Sequence, residues 1–176
     1  MRKVLVLGMV LCMVGMASAS LVKLAYPDQV IGAAASSVYI PGTTGTGAFR
    51  TIDRSGMSVY AGQDVHDYTY TNMWLSADEQ LGGQPWIAWE FDQVYLIDSV
   101  NVWNYNQGGH AFRGLRHAAI EYSTDGTNWT TLYADYEFAK APGQSDYVCN
   151  NVVDFGGVSA KHVRFTAHPI TTGEDS

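Results

Sequence analysis

The sequence predicts an all-β protein, an antiparallel β-sandwich or jelly roll built from many short strands. Aromatic and β-branched residues recur in short segments, such as residues 86–91, 95–106 and 118–123, and turn residues separate these segments. Asp125-Gly126 supplies residues that tolerate the positive φ of a tight hairpin turn. No stretch has the periodicity of a helix of convincing length, so strands at regular spacing favour a sandwich or jelly roll.

Residues 1–19 have the features of a signal peptide. Arg2 and Lys3 give a positive start, residues 4–16 are apolar but too short to span a bilayer, and Ala17-Ser18-Ala19 fits the cleavage rule. The sequence therefore predicts cleavage after Ala19 and a secreted or cell-surface protein. No transmembrane segment is expected in the mature chain.

The charge and cysteine content exclude several classes of protein. The formal net charge is −7 and no run of Lys or Arg occurs, which argues against binding to nucleic acid or anionic membranes. Cleavage would leave Cys149 as the remaining cysteine, so no intramolecular disulfide is expected although export would permit one.

The first half of the mature chain is predicted to contain few and short strands. Residues 20–32 are interpreted as an N-terminal arm, and residues 33–168 as one domain that begins with a turn and a first strand before residue 40. Residues 58–72 are polar and rich in tyrosine, and their lack of periodicity predicts a long loop, which in a compact domain is usually functional or disordered. Residues 73–76 are predicted to form a short strand, and residues 78–84 a turn.

The second half is predicted to contain the best-defined strands. Residues 133–138 continue or follow the strand after Trp129, and residues 141–146 form a loop. Residues 152–155 are predicted as a strand entering a turn at Gly156-Gly157. A separate strand follows at residues 161–167, with Val163, Phe165 and Ala167 on one face, and residues 169–176 form a polar tail.

Four passages give the chain a family resemblance. They are Ala35-Ser36-Ser37, Thr51-Ile52-Asp53 before Met73-Trp74, Trp86-Ile87 with Glu90-Phe91, and the strand, Ser-x-Asp-Gly and Trp of residues 121–129. In this order they resemble the coagulation factor 5/8 type C, or discoidin, domain, which belongs to the galactose-binding-like jelly rolls and includes bacterial carbohydrate-binding modules. The resemblance spans residues 33–167 and implies the jelly-roll fold.

Two features depart from the family pattern. The segment between Asp53 and Trp74 is longer than usual, and Arg54 stands where a glycine is common. The resemblance also implies one more strand after the Val163 strand, often starting with Glu, and the sequence stops at Ser176 without it. Either the sequence is a fragment or the sheet is completed differently.

The resemblance implies a structural calcium ion held by Asp53, by backbone carbonyls of the following loop and by the Glu of the last strand. Calcium prefers six to eight oxygen ligands, which such a set would provide. Asp64 or Asp67 could supply the second carboxylate instead. The alternative is that Asp53 only caps its own loop.

The resemblance also implies a ligand site on loops at one end of the sandwich. Sugars present an apolar C–H face to aromatic rings and hydroxyls to polar groups, so a mixture of the two residue types is expected. The alternative is that these are ordinary surface residues. The candidates are His66, Tyr68, Tyr70, Asn104, Asn106, His110, Phe112 and Arg113.

The five tryptophans are expected to serve mainly the core. The resemblance places Trp74, Trp86 and Trp129 in the interior and leaves Trp89 and Trp103 undecided.

The sequence favours a binding module over an enzyme. No His-Glu-x-x-His spacing and no Gly-x-Ser-x-Gly motif occurs. We expect an exported, non-catalytic module that recognises carbohydrate, either a cell-surface glycan or a polysaccharide, through its rim loops. The alternative is a structural or adhesive domain that contacts proteins and has no sugar pocket. Phospholipid binding conflicts with the acidic charge.

Overall fold

The protein is described by a computed structural model that covers residues 2–7, 22–24, 28–40, 45–77 and 84–169. The strands are β1 Arg2–Leu7, β2 Val22–Lys23, β3 Val30–Ala35, β4 Met57–Tyr60, β5 Gln63–His66, β6 Trp86–Val102, β7 His117–Ser123, β8 Thr130–Glu137, β9 Tyr147–Val148 and β10 Asn151–Ala167. Short 3₁₀ helices lie at Ala48–Thr51, Tyr70–Asn72 and Ala111–Arg113.

The strands form two sheets, as the predicted fold class requires. The larger sheet has the order β2-β1-β6-β10-β7-β8, with β3 also paired to β6, and the smaller has the order β4-β5-β9. Pairing is antiparallel except for β1, which lies parallel to both β2 and β6. The prediction of an all-β protein with antiparallel sheets is confirmed.

Two long strands organise the larger sheet, where the sequence predicted pairs of shorter ones. β10 runs without a break through Gly156 and Gly157, whose φ values of 59° and 79° accommodate a register shift rather than a chain reversal. β6 likewise passes through the exposed Asp92-Gln93 and pairs with β10 along both of its halves. The separate strands predicted at residues 152–155 and 161–167 are therefore one.

The prediction of a long loop at residues 58–72 is wrong. Residues 57–66 form the β4–β5 hairpin, and Tyr70–Asn72 is a 3₁₀ helix. Ala61 and Gly62 have φ values of 49° and 78°, which suit a two-residue hairpin turn. The sequence lacked an alternating pattern here because Ser58, Val59 and Tyr60 are all exposed.

The predictions for two further short strands also differ from the structure. The first strand of the domain is β3, which starts at Val30, inside the predicted arm, and ends before Ser36. Residues 73–76 form no strand, although Leu75 exchanges single backbone hydrogen bonds with Tyr39 and Thr46. The turn expected at residues 78–84 and the tail at 169–176 fall almost entirely outside the described residues.

Alternation along β6 and β10 builds the core and decides the place of the tryptophans. Ile87, Trp89 and Phe91 point inward, and Trp89 meets Phe165 edge to face with ring centres 5.3 Å apart. Trp86 is one residue out of phase with this inward row and is only half-buried. The two undecided tryptophans, Trp89 and Trp103, are the buried ones, whereas Trp74, Trp86 and Trp129 are half-buried, with Trp74 packed against the core.

No helix within the described residues has the length and apolar character needed to cross a membrane. β1 falls within the segment predicted to be a signal peptide, and its pairing with β6 does not test whether that segment is cleaved. Cleavage after Ala19 stays a prediction.

Candidate functional site

Loops converge at the end of the sandwich where β6 ends and where β7 and β10 begin. We call this end the rim, and it consists of residues 67–77, 103–116 and 138–150. Two buried asparagine side chains cross-link these loops by hydrogen bonds. The rim is therefore held in one arrangement by polar groups that solvent does not reach.

Asn104 is one of these cross-links. Its Nδ2 donates to Leu115 O at 2.7 Å and to Ala139 O at 3.1 Å, and its Oδ1 accepts from Leu115 N at 2.8 Å. A Cβ atom on Gly114 would lie 2.7 Å from this Oδ1, which explains why glycine is needed there. The side chain predicted to touch ligand is buried and positions the loops instead.

Asn106 is the second cross-link and is fully buried. Its Nδ2 donates to Asp67 O at 2.8 Å and to Gln144 O at 2.7 Å, while its Oδ1 accepts from Gly143 N at 2.8 Å. One amide group thus forms hydrogen bonds with backbone atoms from two other loops, and its side chain has no exposed surface at which to meet a ligand.

His66 also lies beneath the rim surface. It is buried, and its Nδ1 lies 2.8 Å from Asp67 O. A Cβ atom on Gly56 would come within 2.8 Å of its Cε1, so the ring is packed closely against the start of the β4–β5 hairpin. His66 supports the loop that carries Tyr68 and Tyr70 rather than facing solvent.

Arg113 and Phe112 form the exposed part of the rim. The Phe112 side chain is 60% exposed, and the Arg113 guanidinium carbon lies 5.9 Å from the centre of its ring. His110 lies on the same 3₁₀ turn, with its ring centre 5.9 Å from that of Phe112. The structure therefore brings these three predicted site residues together.

Tyr105 links this group to two further tyrosines. Its hydroxyl interacts with Arg113 through a hydrogen bond and through charge, and the hydroxyls of Tyr70 and Tyr39 lie close enough to act electrostatically on the Tyr105 hydroxyl. Burial raises the pKa of Tyr105, and the hydrogen bond and charge of Arg113 oppose that rise. Tyr105 also donates to Gln107 Oε1 at 2.7 Å, so this phenol is held in place by both neighbours.

We call the group His110, Phe112, Arg113, Tyr105, Tyr70 and Tyr39 the Arg113 cluster. Tyr68, another predicted candidate, is exposed, but no contact joins it to this group in the described part of the chain. Tyr39 and Tyr105 were missed by sequence reasoning. Tyr105 stands between the two selected asparagines, whereas nothing local to Tyr39 indicates that its loop packs beside the rim.

Asp53 lies in a tight loop after the first 3₁₀ helix. Its Oδ2 accepts from Arg50 Nη1 at 2.9 Å, and its Oδ1 accepts from Ser55 N at 2.8 Å. Arg50 also donates to Ser55 Oγ at 3.0 Å and approaches Gly45 O at 3.4 Å. A guanidinium group therefore stands among the oxygen atoms that surround Asp53.

Comparison with known families decides the identity of the fold. A model of the F5/8 type C domain matches residues 35–174. The chain belongs to the F5/8 type C domain family. No curated protein matches the sequence.

One solved structure supports this assignment at the level of the fold, and two others are less similar. A Clostridium perfringens protein described as CpGH89CBM32-5, in complex with GalNAc-beta-1,3-galactose, is similar with a TM-score of 0.52 and 16% identity, over 81% of this chain and 86% of that one. A pectin binding carbohydrate binding module has a TM-score of 0.48 and 16% identity, over 81% of both chains. CBM32-3 from a family 31 glycoside hydrolase of Clostridium perfringens has a TM-score of 0.45 and 17% identity, over 76% of this chain and 74% of that one.

The Asp53 carboxylate of this F5/8 type C domain already has a cationic partner. Both oxygens of the carboxylate already accept hydrogen bonds, and a positive charge lies 2.9 Å from one of them. Within the described ranges, no three His, Cys, Asp or Glu side chains are placed to hold a metal ion. The calcium ion at Asp53 stays a prediction, and a melting experiment with calcium and with chelator tests it.

The backbone conformation of Arg54 explains why a glycine is common at this position in the family. Arg54 has a φ of 64°, in the left-handed region where glycine carries no steric cost. Its Nη2 lies 3.6 Å from Asp64 Oδ1, which ties the loop to the β4–β5 hairpin. Asp64 is thus engaged by Arg54, and Asp67 accepts from Thr69 N and Asn72 Nδ2.

Proposed function

We propose that this F5/8 type C domain is a non-catalytic module that binds carbohydrate at the Arg113 cluster. The observation that carries the proposal is an exposed ring, Phe112, beside an exposed guanidinium, Arg113, on loops fixed from below by Asn106. An apolar ring next to the N–H donors of a guanidinium suits a sugar, which offers a C–H face and hydroxyls at its edge.

The described acidic side chains favour a binding role over catalysis. Glu121 pairs with Arg164 at 2.7 Å and Glu90 pairs with Lys161 at 3.0 Å, both away from the rim. Asp125 caps its hairpin through the backbone amides of Thr127 and Asn128, which hold the pKa of its carboxyl far below the usual range. These carboxylates have structural partners and do not point to an acid–base pair.

The fold supports sugar as the first ligand class to test. CpGH89CBM32-5, which shares this fold, was determined in complex with GalNAc-beta-1,3-galactose. Shared fold alone does not fix function. The local chemistry of the Arg113 cluster therefore has to carry the proposal.

A glycan array with matched aromatic variants tests the site. We expect Phe112→Ala to weaken binding of any sugar ligand about tenfold, because a stacked ring contributes roughly 1–2 kcal/mol. Tyr60→Ala removes an equally exposed ring at the tip of the β4–β5 hairpin and should change affinity less than about twofold. Equal loss in both variants would place the site elsewhere, and a folded protein that binds no sugar would favour the structural or adhesive alternative.

We also propose that the protein is exported and acts outside the cell or on its surface. The support is the charged start, apolar core and Ala17-Ser18-Ala19 of the first 19 residues. N-terminal sequencing of the exported protein should find Ser20 as the first residue. An exported chain that still begins at Met1 would contradict cleavage.

A further inference from the structure

Arg113 differs from other arginines of this protein in what it contacts. Arg50, Arg54 and Arg164 each pair with a carboxylate, at 2.9, 3.6 and 2.7 Å. Within the described part of the chain, the contacts of Arg113 are instead the Tyr105 hydroxyl and the Phe112 ring. Although the chain has a net charge of −7, no acidic side chain among the described residues pairs with this exposed guanidinium on the rim.

The remaining polar groups around this guanidinium are donors or neutral. Tyr105 contributes a hydroxyl group beside the guanidinium, and the His110 Nδ1 lies 3.2 Å from the Gly108 carbonyl. No described carboxylate lies in the Arg113 cluster to accept from the hydroxyls of a neutral sugar. The cluster offers positive charge and donors, and it lacks a matching negative acceptor.

A carboxylate supplies the missing partner. The guanidinium is planar and presents its N–H groups as a fork that matches two carboxylate oxygens, forming charge-assisted hydrogen bonds about twice as strong as neutral ones. Phe112 beside it favours a ligand that also has an apolar face. A small inorganic anion would use the charge and leave the ring unused.

We infer that the Arg113 cluster selects carboxylated sugars, with the sugar carboxylate on the Arg113 guanidinium and the sugar ring against Phe112. This inference rests on the proposed carbohydrate-binding function and specifies its ligand class. It assigns Arg113 the discriminating role and Phe112 a role common to acidic and neutral sugars.

The test compares sugars that differ in the group at C6, which is charged in the acid and neutral in the other two. Calorimetry would measure binding of an oligogalacturonate, its methyl ester and a galactose oligomer of equal length to the purified protein. We expect the acid to bind at least about tenfold more tightly than its ester, since a charged hydrogen-bonded pair exceeds a neutral one by about that factor. Arg113→Gln should remove this difference, and Arg113→Lys should restore only part of it because a lysine lacks the fork.

Control variants separate the specific role of Arg113 from a general effect of charge. Lys161 lies on β10, at the end of the β7–β10 pair that is remote from the rim, where the neighbouring residue pairs with Ser123. Lys161→Gln also removes one positive charge and should leave the preference for the acid unchanged. Phe112→Leu should weaken acid and ester by the same factor. A melting curve of each variant shows that it is folded.

The outcomes distinguish this inference from the proposed function. Equal affinity for the acid and its ester, or a preference for the ester or the galactose oligomer, overturns the acidic selectivity and leaves carbohydrate binding standing. An acid preference that survives Arg113→Gln overturns the role of Arg113. If all three oligomers and the glycan array fail to bind, both proposals fall.

Discussion

Asn106→Ala is expected to lower the free energy of unfolding by about 2–4 kcal/mol, because it removes three hydrogen bonds made by a fully buried amide side chain. The lost contacts are those with Asp67 O, Gln144 O and Gly143 N, all between 2.7 and 2.8 Å. Since these contacts join the loops of the rim, sugar affinity should fall as well, although Asn106 itself touches no ligand. Urea denaturation and calorimetry would measure the two effects.

Asn128→Ala is the matched control for this prediction. Asn128 is exposed on the β7–β8 turn, and its Nδ2 donates to Asp125 Oδ2 at 2.7 Å. Loss of an exposed hydrogen bond should cost less than about 1 kcal/mol and should leave sugar binding intact. If Asn106→Ala is as mild as Asn128→Ala, the rim does not depend on this cross-link.

The contrast between these asparagines shows what the sequence could reveal about the site. The position of Asn104 and Asn106 after a strand correctly indicated the rim, because polar residues commonly follow the last core position of a strand. Their burial depends on where residues 67, 115, 139 and 143–144 return to the rim, and those contacts span long sequence separations. No local pattern records such contacts, so the sequence did not reveal that both side chains are buried.

The fold was more accessible to sequence reasoning than the site. The β7–β8 hairpin was predicted from Asp125-Gly126, and Gly126 has the expected positive φ of 75°. Gly156-Gly157 in contrast predicted a turn and lies inside β10, because glycine permits a register shift as readily as a chain reversal. The register shift forms here because β6 pairs with β10 on both sides of the irregularity.

Sequence also could not decide the direction of the tryptophans. Alternation on β6 offers two equivalent faces, and Trp86 and Trp89 fall on opposite ones. Placing Trp89 inward brings it against Phe165 and allows its Nε1 to donate to Thr51 Oγ1 at 2.8 Å. A buried indole needs such an acceptor, and the acceptor comes from a distant 3₁₀ helix that the sequence did not predict.

Arg50→Ala is expected to destabilise the protein by about 1–2 kcal/mol, between the values for exposed and for buried ion pairs. The side chains of Arg50 and Asp53 are 21% and 16% exposed, so the pair is largely shielded from solvent. The substitution would leave the Asp53 carboxylate without the charge that lies 2.9 Å away. Thermal melting of the wild type should be the same in calcium and in chelator, because the guanidinium already provides the positive charge at this loop.

Arg54→Ala provides the comparison within the same loop. Its guanidinium lies 3.6 Å from Asp64 and is 47% exposed, so its removal should cost less than about 0.5 kcal/mol. Melting temperatures of both variants, measured with calcium and with chelator, show whether a calcium ion or the Arg50 guanidinium is the partner of Asp53. If chelator lowers the melting temperature of the wild type by several degrees and Asp53→Ala abolishes that shift, a calcium ion binds there and must displace Arg50 from the carboxylate. If only Arg50→Ala lowers stability, an arginine holds the loop by itself, since its charge and directional hydrogen bonds serve the same oxygen atoms.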